Sequence, residues 1–192
     1  NKYESLVSNF FESHFMEWFT YTCSENNFDT KVINEILEVV NQFDLSTYIL
    51  KPEEIQDILQ EVYMELIPAE MRHLMGEYFS PDWIVEHALD MVGYHGDIKK
   101  TLIDPTAGSG TFLTHSIKRI VNQAGGKLSR DDIDKITHNI IGFDINPISV
   151  VSAKANYILA LFSSCEDSVF DDFADHVNMP IYIADSIPAP VV

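Results

Sequence analysis

The chain is poor in cysteine and in basic residues, and it has no long apolar run. Cys23 and Cys165 are the only two cysteines among 192 residues. Two thiols give neither a disulfide framework nor zinc spacing, so a reduced, cytosolic setting is expected. No apolar stretch approaches the roughly 18 residues of a membrane span, and neither a membrane span nor a signal peptide is expected. Lys and Arg number 12 against 30 Asp and Glu, a formal charge of −18. The deficit is general: residues 1–75 hold 14 acids and 4 bases, and residues 76–192 hold 16 and 8. Phosphate backbones are gripped mainly by Lys and Arg. This chain alone should bind nucleic acid poorly, which argues against a self-contained DNA binder but not against a piece of an enzyme whose DNA grip lies elsewhere. The seven histidines (His14, His73, His87, His95, His115, His138 and His176) show no HExxH or paired spacing, so no metal is expected.

What remains is a composition that can bury a core: 46% of residues are hydrophobic, with 12 Phe and 8 Tyr. Apolar spacing of three and four predicts helices over 3–20 and 30–44, with Thr30 as a cap. Pro52 suits the first turn of a third helix, which runs to about residue 66. Residues 1–72 therefore read as an acidic helical unit, whose Phe10, Phe11, Phe15, Trp18 and Phe19 are core rather than a base-stacking platform. From residue 73 to 192 the pattern changes. Helices are expected at 81–91, 111–123, 129–138 (capped by Ser129, with Asp132 three residues on) and 147–162. Glu86 and His87 are assigned to helix surface. Short apolar runs at 100–104, 139–144 and 181–185 read as buried strands that each end in Asp. Alternating helix and strand predicts an α/β fold with a parallel sheet. Such a three-stranded sheet would be incomplete, and an exposed edge could promote self-association.

Ligands of open α/β sheets bind outside the carboxyl ends of the strands, where Asp104, Asp144 and Asp185 would line up. The first of these leads into LIDPTAGSGTFL, residues 102–113. A phosphate loop would read GxxxxGK[ST], and no Lys follows here. A dinucleotide fingerprint would read GxGxxG, and the third glycine is missing, which counts against a nicotinamide dehydrogenase. Three acids would repel a polyphosphate. They suit a ligand rich in hydroxyl and amine donors, with glycines admitting it close to the backbone. An amino acid at one end, a ribose in the middle and an adenine beyond would meet these positions in turn. S-adenosylmethionine is such a ligand.

DPTAGSGTFL at 104–113 resembles the cofactor motif DPxxGSGxFL of the N6-adenine DNA methyltransferases. GEYFSP at 76–81 resembles the upstream GxYYTP motif, with Phe79 for Tyr and Ser80 for Thr. GFDINP at 142–147 resembles the ribose-binding segment, and IYIADS at 181–186 falls where the family places the acid near the adenine. The order and spacing are similar to type I modification subunits and fused type II restriction–modification enzymes. The Asp104–Asp144 separation is longer than in minimal units, which the 125–138 insertion explains as an added surface helix.

The resemblance implies a Rossmann-like methyltransferase core binding S-adenosylmethionine. Gly108 and Gly110, with Thr106 and Ala107, would pass the methionine part closely. Asp104 would meet its ammonium, directly or through water, and Ser80 its carboxylate. Asp144 would hold the ribose hydroxyls, Ile145 would pack on the adenine, Asp185 would accept from the adenine amine, and Ser186 would donate nearby. The family flips its target adenine out of the duplex. Its catalytic [ND]PP[YFW] motif follows the third strand, yet this chain has no Pro-Pro pair, and Asn178-Met179-Pro180 precedes that strand. No catalytic residue is expected in this chain. Both ends read as cut from a longer protein. Double-stranded DNA, a specificity subunit and a nuclease would be partners reached through other parts of it. Competing readings are a methyltransferase acting on protein glutamine or RNA, and a non-catalytic cofactor-binding or interaction module.

Overall fold

A computed structural model describes residue 70, residues 80–162, 164–165 and 177–187. The three leading helices expected over 3–66, the 72/73 domain boundary and residues 76–79 of the upstream motif lie outside the described residues. The elements run in the order α1 (Asp82–Met91), β1 (Leu102–Asp104), α2 (Thr111–Gln123), α3 (Arg130–Asn139), β2 (Ile140–Asp144), α4 (Pro147–Phe162) and β3 (Ile181–Ile183).

The strands form one parallel sheet in the order β1-β2-β3. Parallel neighbours cannot be joined by a hairpin and need long crossovers, which here are α2 with α3 and then α4. Register sets Asp104 opposite Gly142 and Asp144 opposite Ile183. Alternation along the strands then places Asp104, Gly142, Asp144 and Ile181 on one face, the face the helices cover. A Cβ on Gly142 would stand 2.7 Å from Leu113 Cδ1 of α2 and 3.2 Å from the Ala107 methyl, so a side chain here would force the Leu113 tip to shift. Ile103, Ile141, Phe143 and Tyr182 share the other face, where Ile103 and Tyr182 are exposed.

Each helix buries the stripe that its sequence periodicity marks. Leu113, Ile117 and Ile120 of α2 and Val150, Ala153, Tyr157 and Leu161 of α4 meet in the core. The Tyr157 hydroxyl, wholly buried, lies 3.1 Å from the Ile136 carbonyl and 3.2 Å from that of Ile140, tying α4 to the α3–β2 junction. The added helix α3 is more than surface decoration, because Ile133 and Ile136 are fully buried. Ser129 and Asp132 close a capping box at its start. Ser129→Ala is expected to lower stability by about 1 kcal/mol in chemical denaturation, leaving the sheet intact.

The third strand is shorter than the sequence suggests. It ends at Ile183, so Asp185 lies two residues beyond it. The physical reason is the partner strand: Ala184 N donates to the Asp144 carbonyl at 3.0 Å, and β2 ends there. Asp185 instead turns the chain by accepting from Ile187 N at 2.9 Å.

Candidate functional site at the carboxyl end of the sheet

Parallel β1 and β2 deliver Asp104 and Asp144 to the same end of the sheet, and Pro105–Gly110 fills the space between them. The loop is stitched to β2 by backbone and carboxylate together. Ala107 N donates to the Phe143 carbonyl at 2.8 Å, and Gly108 N to Asp144 Oδ2 at 2.8 Å. Gly110 N closes back on the Ala107 carbonyl at 2.7 Å, and Thr106 N donates to Asp104 Oδ1 at 3.1 Å. The amides of Thr106, Ala107, Gly108 and Gly110 are thus spent within the protein. A phosphate cradle needs such groups pointing at the ligand.

The two loop glycines serve different ends. Both have positive φ, +54° at Gly108 and +85° at Gly110. A Cβ on Gly110 would stand 3.2 Å from Ala153 Cα and Cβ, so this glycine lets the loop seat on α4. A Cβ on Gly108 would meet nothing within 4 Å, so its open side faces out of the protein. Ala107 turns its methyl into the core beneath the loop, near the place where a Cβ on Gly142 would stand. Thr106 is exposed beside Gly108.

Asp104 is the electrostatic anomaly. It is buried, and its Oδ2 has no hydrogen-bond partner among the described residues. Burial pushes its carboxyl above the ordinary range; the Thr106 amide opposes this in part, and the Asp144 charge adds to it. An orphaned buried carboxylate oxygen costs stability unless something donates to it. Asp144 is more content: its Oδ1 accepts from Asn146 N at 2.8 Å while Oδ2 takes Gly108 N. It therefore performs the capping role open to any acid after a strand, and it also anchors the glycine loop. Ile145 follows, 68% exposed. The Ala184–Asp144 backbone bond brings Asp185 and Ser186, both exposed, past the same end of the sheet. Ser80, half-buried, precedes α1, which packs on α2.

Two features escaped the sequence reading. Asn156 is buried in α4 and donates from Nδ2 to the Ser109 carbonyl at 2.9 Å, gripping the loop from below. An amide in the stretch AKANYILALF of a largely apolar helix was the available signal. Glu86 is also not simply helix surface. Its carboxylate pairs with His115 and Arg119 of α2, and those hydrogen bonds, His115's first, hold it below the usual carboxylate range. His87 is exposed, as expected. Among the described residues no group of three His, Cys, Asp or Glu could hold a metal ion, and no helix is long and apolar enough to cross a membrane. Burial pushes the Cys165 thiol up to about 11, which makes it a poor nucleophile.

A family model described as N-6 DNA Methylase matches residues 51–172. The chain belongs to the N-6 DNA methylase family. The matched span takes in Ser80, Asp104, the glycine loop and Asp144, and ends before Asp185. Among curated relatives, the chain is 27% identical over 135 residues to the adenine-specific methyltransferase PglX of Streptomyces coelicolor, covering 66% of this chain and 11% of that protein. It is 24% identical over 167 residues to the type I restriction enzyme MjaVII methylase subunit of Methanocaldococcus jannaschii, covering 87% of this chain and 24% of that one. The chain thus spans a quarter or less of the length of these methylase relatives. No solved structure matches.

Proposed function

We propose that this chain supplies the S-adenosylmethionine-binding part of a DNA adenine-N6 methyltransferase of a restriction–modification system, built on a Rossmann-like core. Family membership and the two methylase relatives support the class of reaction. The observation that carries the cofactor is Asp104: a buried carboxylate with an unpartnered oxygen, beside a glycine whose outer side is open. A substrate ammonium there would satisfy Oδ2 and offset the desolvation that burdens it.

The bound cofactor would supply an electrophilic sulfonium methyl. The chain's own residues hold and orient. Asp104 receives the methionine ammonium, Gly108 and Thr106 let that end pass close to the backbone, and Ser80 receives its carboxylate. Ala107 and Gly110 shape the loop from beneath. Asp144 still has lone pairs for the ribose hydroxyls while keeping its two amides. Ile145 offers an apolar face to the adenine, and Asp185 and Ser186 meet its polar edge. Fixing the methyl in line for attack is the contribution such positioning makes to the rate.

The base-binding [ND]PP[YFW] loop has no counterpart in this sequence, and the net charge of −18 gives no DNA grip. Duplex DNA, and any specificity or nuclease partner, would be engaged through other parts of a cytoplasmic protein, and this chain by itself would be inactive. Calorimetric titration tests the reading: S-adenosylmethionine should bind and NAD should not. Binding of NAD in preference, or of neither, overturns it.

A further inference from the structure

The cofactor reading uses Ser80 and the glycine loop, but these sit on segments far apart in sequence. A charged cluster joins α1, which Ser80 precedes, to α2, which follows the glycine loop. Arg119 lies two turns into α2 and donates in five directions. Nε reaches Glu86 Oε2 at 3.0 Å, and Nη2 reaches the Glu86 carbonyl at 3.0 Å and the Glu86 carboxylate again. Nη1 reaches Asp90 Oδ1 at 2.7 Å and the Tyr94 carbonyl at 2.6 Å. One guanidinium thus ties both the middle and the carboxyl end of α1 to α2. His115, one turn nearer the glycine loop, is buried. Its Nδ1 is 2.5 Å from Glu86 Oε1, and its Nε2 lies 3.3 Å from Asp82 Oδ1, near enough for an ion pair but not aligned as a hydrogen bond. Asp82 stands two residues after Ser80, and His115 four after Thr111. The segment after α1 is pressed on as well: a Cβ on Gly96 would stand 2.5 Å from the Arg119 carbonyl oxygen.

Apolar contact is the thinner part of this joint, since Val85 and Leu89 are the only buried side chains of α1. Dispersion is tolerant of sliding, whereas a guanidinium whose two nitrogens converge on one Glu86 oxygen while the others hold Asp90 and two carbonyls fixes direction. A helix that slid along α2 would keep most of its apolar burial but would move Ser80 relative to the glycine loop.

We propose that His115 and Arg119, acting through Glu86, are positioning residues that set Ser80 against the glycine loop, and so select ligands carrying the amino-acid end of the cofactor. This rests on the S-adenosylmethionine reading above. Neither residue touches the cofactor, and the ribose and adenine positions at Asp144 and Asp185 lie on other elements. Loss of the clamp should therefore fall on one end of the ligand only.

The test compares two ligands on the full chain by calorimetry: S-adenosylhomocysteine, and methylthioadenosine, which has the same nucleoside and sulfur but no amino acid. Arg119→Met should weaken S-adenosylhomocysteine by about tenfold and leave methylthioadenosine within about twofold, with Arg119→Lys between Met and wild type. If Arg119→Met does not fold, His115→Gln, which can reach one carboxylate but not both, decides in the same way. Equal loss for both ligands would mean a merely structural cluster, and no loss for either would mean no role; each overturns the proposal. Wild-type chain that binds neither ligand overturns the cofactor reading and this inference with it, so the two failures are told apart by the wild-type titration.

Discussion

Asp104→Asn should make the protein more stable and a worse cofactor binder. In the wild type a buried carboxylate keeps one oxygen without a partner, and its protonation equilibrium is shifted upward. The linkage has a definite sign. An acid whose folded pKa is raised above its ordinary value of 3.8 stabilises the fold most when protonated. That contribution is complete below the unfolded pKa and is lost as pH rises through the folded one. Asparagine accepts from Thr106 N equally well and has no charge to bury. The thermal midpoints of mutant and wild type should coincide near pH 3 and separate as pH rises above about 4, with the mutant higher. Binding should go the other way. A hydrogen bond to a charged partner contributes roughly 1.5–3 kcal/mol, so affinity for S-adenosylmethionine should fall by roughly 10- to 100-fold. Methylthioadenosine, lacking the ammonium, should bind as before. A mutant that is less stable at pH 7, or that loses both ligands, contradicts the role given to Asp104.

Asp144→Ala should have the larger and broader effect. Removing this carboxylate leaves Gly108 N and Asn146 N without this acceptor, and the glycine loop loses its only side-chain tie to β2 among the described residues. Two lost hydrogen bonds to a charged acceptor should lower stability by roughly 2–4 kcal/mol in urea denaturation. Because Asp144 would also hold the ribose, binding of S-adenosylmethionine and methylthioadenosine should fall together, on the order of a hundredfold or more. A variant that unfolds less readily than this and still binds methylthioadenosine would show that Asp144 caps its strand and does nothing further. The contrast between the two aspartates is therefore a contrast of ligand ends: one should discriminate the amino acid, the other the nucleoside.

Much of this arrangement is legible in the sequence because its signals are local. Helix α2 begins at Thr111 and ends at Gln123, as its periodicity and flanking glycines indicate, and α4 spans Pro147 to Phe162 for similar reasons. The capping box at Ser129 is written in four residues. The order of strand, glycine turn and helix places Asp104 and Asp144 at one end of the sheet before any coordinates are known. What sequence does not carry is the effect of a neighbour. Residues 181–185 form an apolar run closed by an acid, but the strand stops at Ile183 because its partner stops at Asp144. Glu86 lies on the polar side of its own helix by periodicity, and only the arrival of His115 and Arg119 from a helix some thirty residues away makes it half-buried. Ala107 matches a motif position, yet its methyl faces the core, which a motif cannot state.

The central claim is that the Asp104–Gly108–Asp144 edge receives S-adenosylmethionine. Amide nuclear magnetic resonance of the chain during titration with S-adenosylhomocysteine tests it most directly, since the amides of Thr106, Ala107, Gly108 and Gly110 each have a named partner to be disturbed. The account predicts saturable shifts at Thr106, Gly108, Ile145 and Asn146, with those in α3, which leads into the opposite end of β2, unmoved. Shifts centred on α3 or on the Ile103–Tyr182 face, with the glycine loop silent, would contradict it.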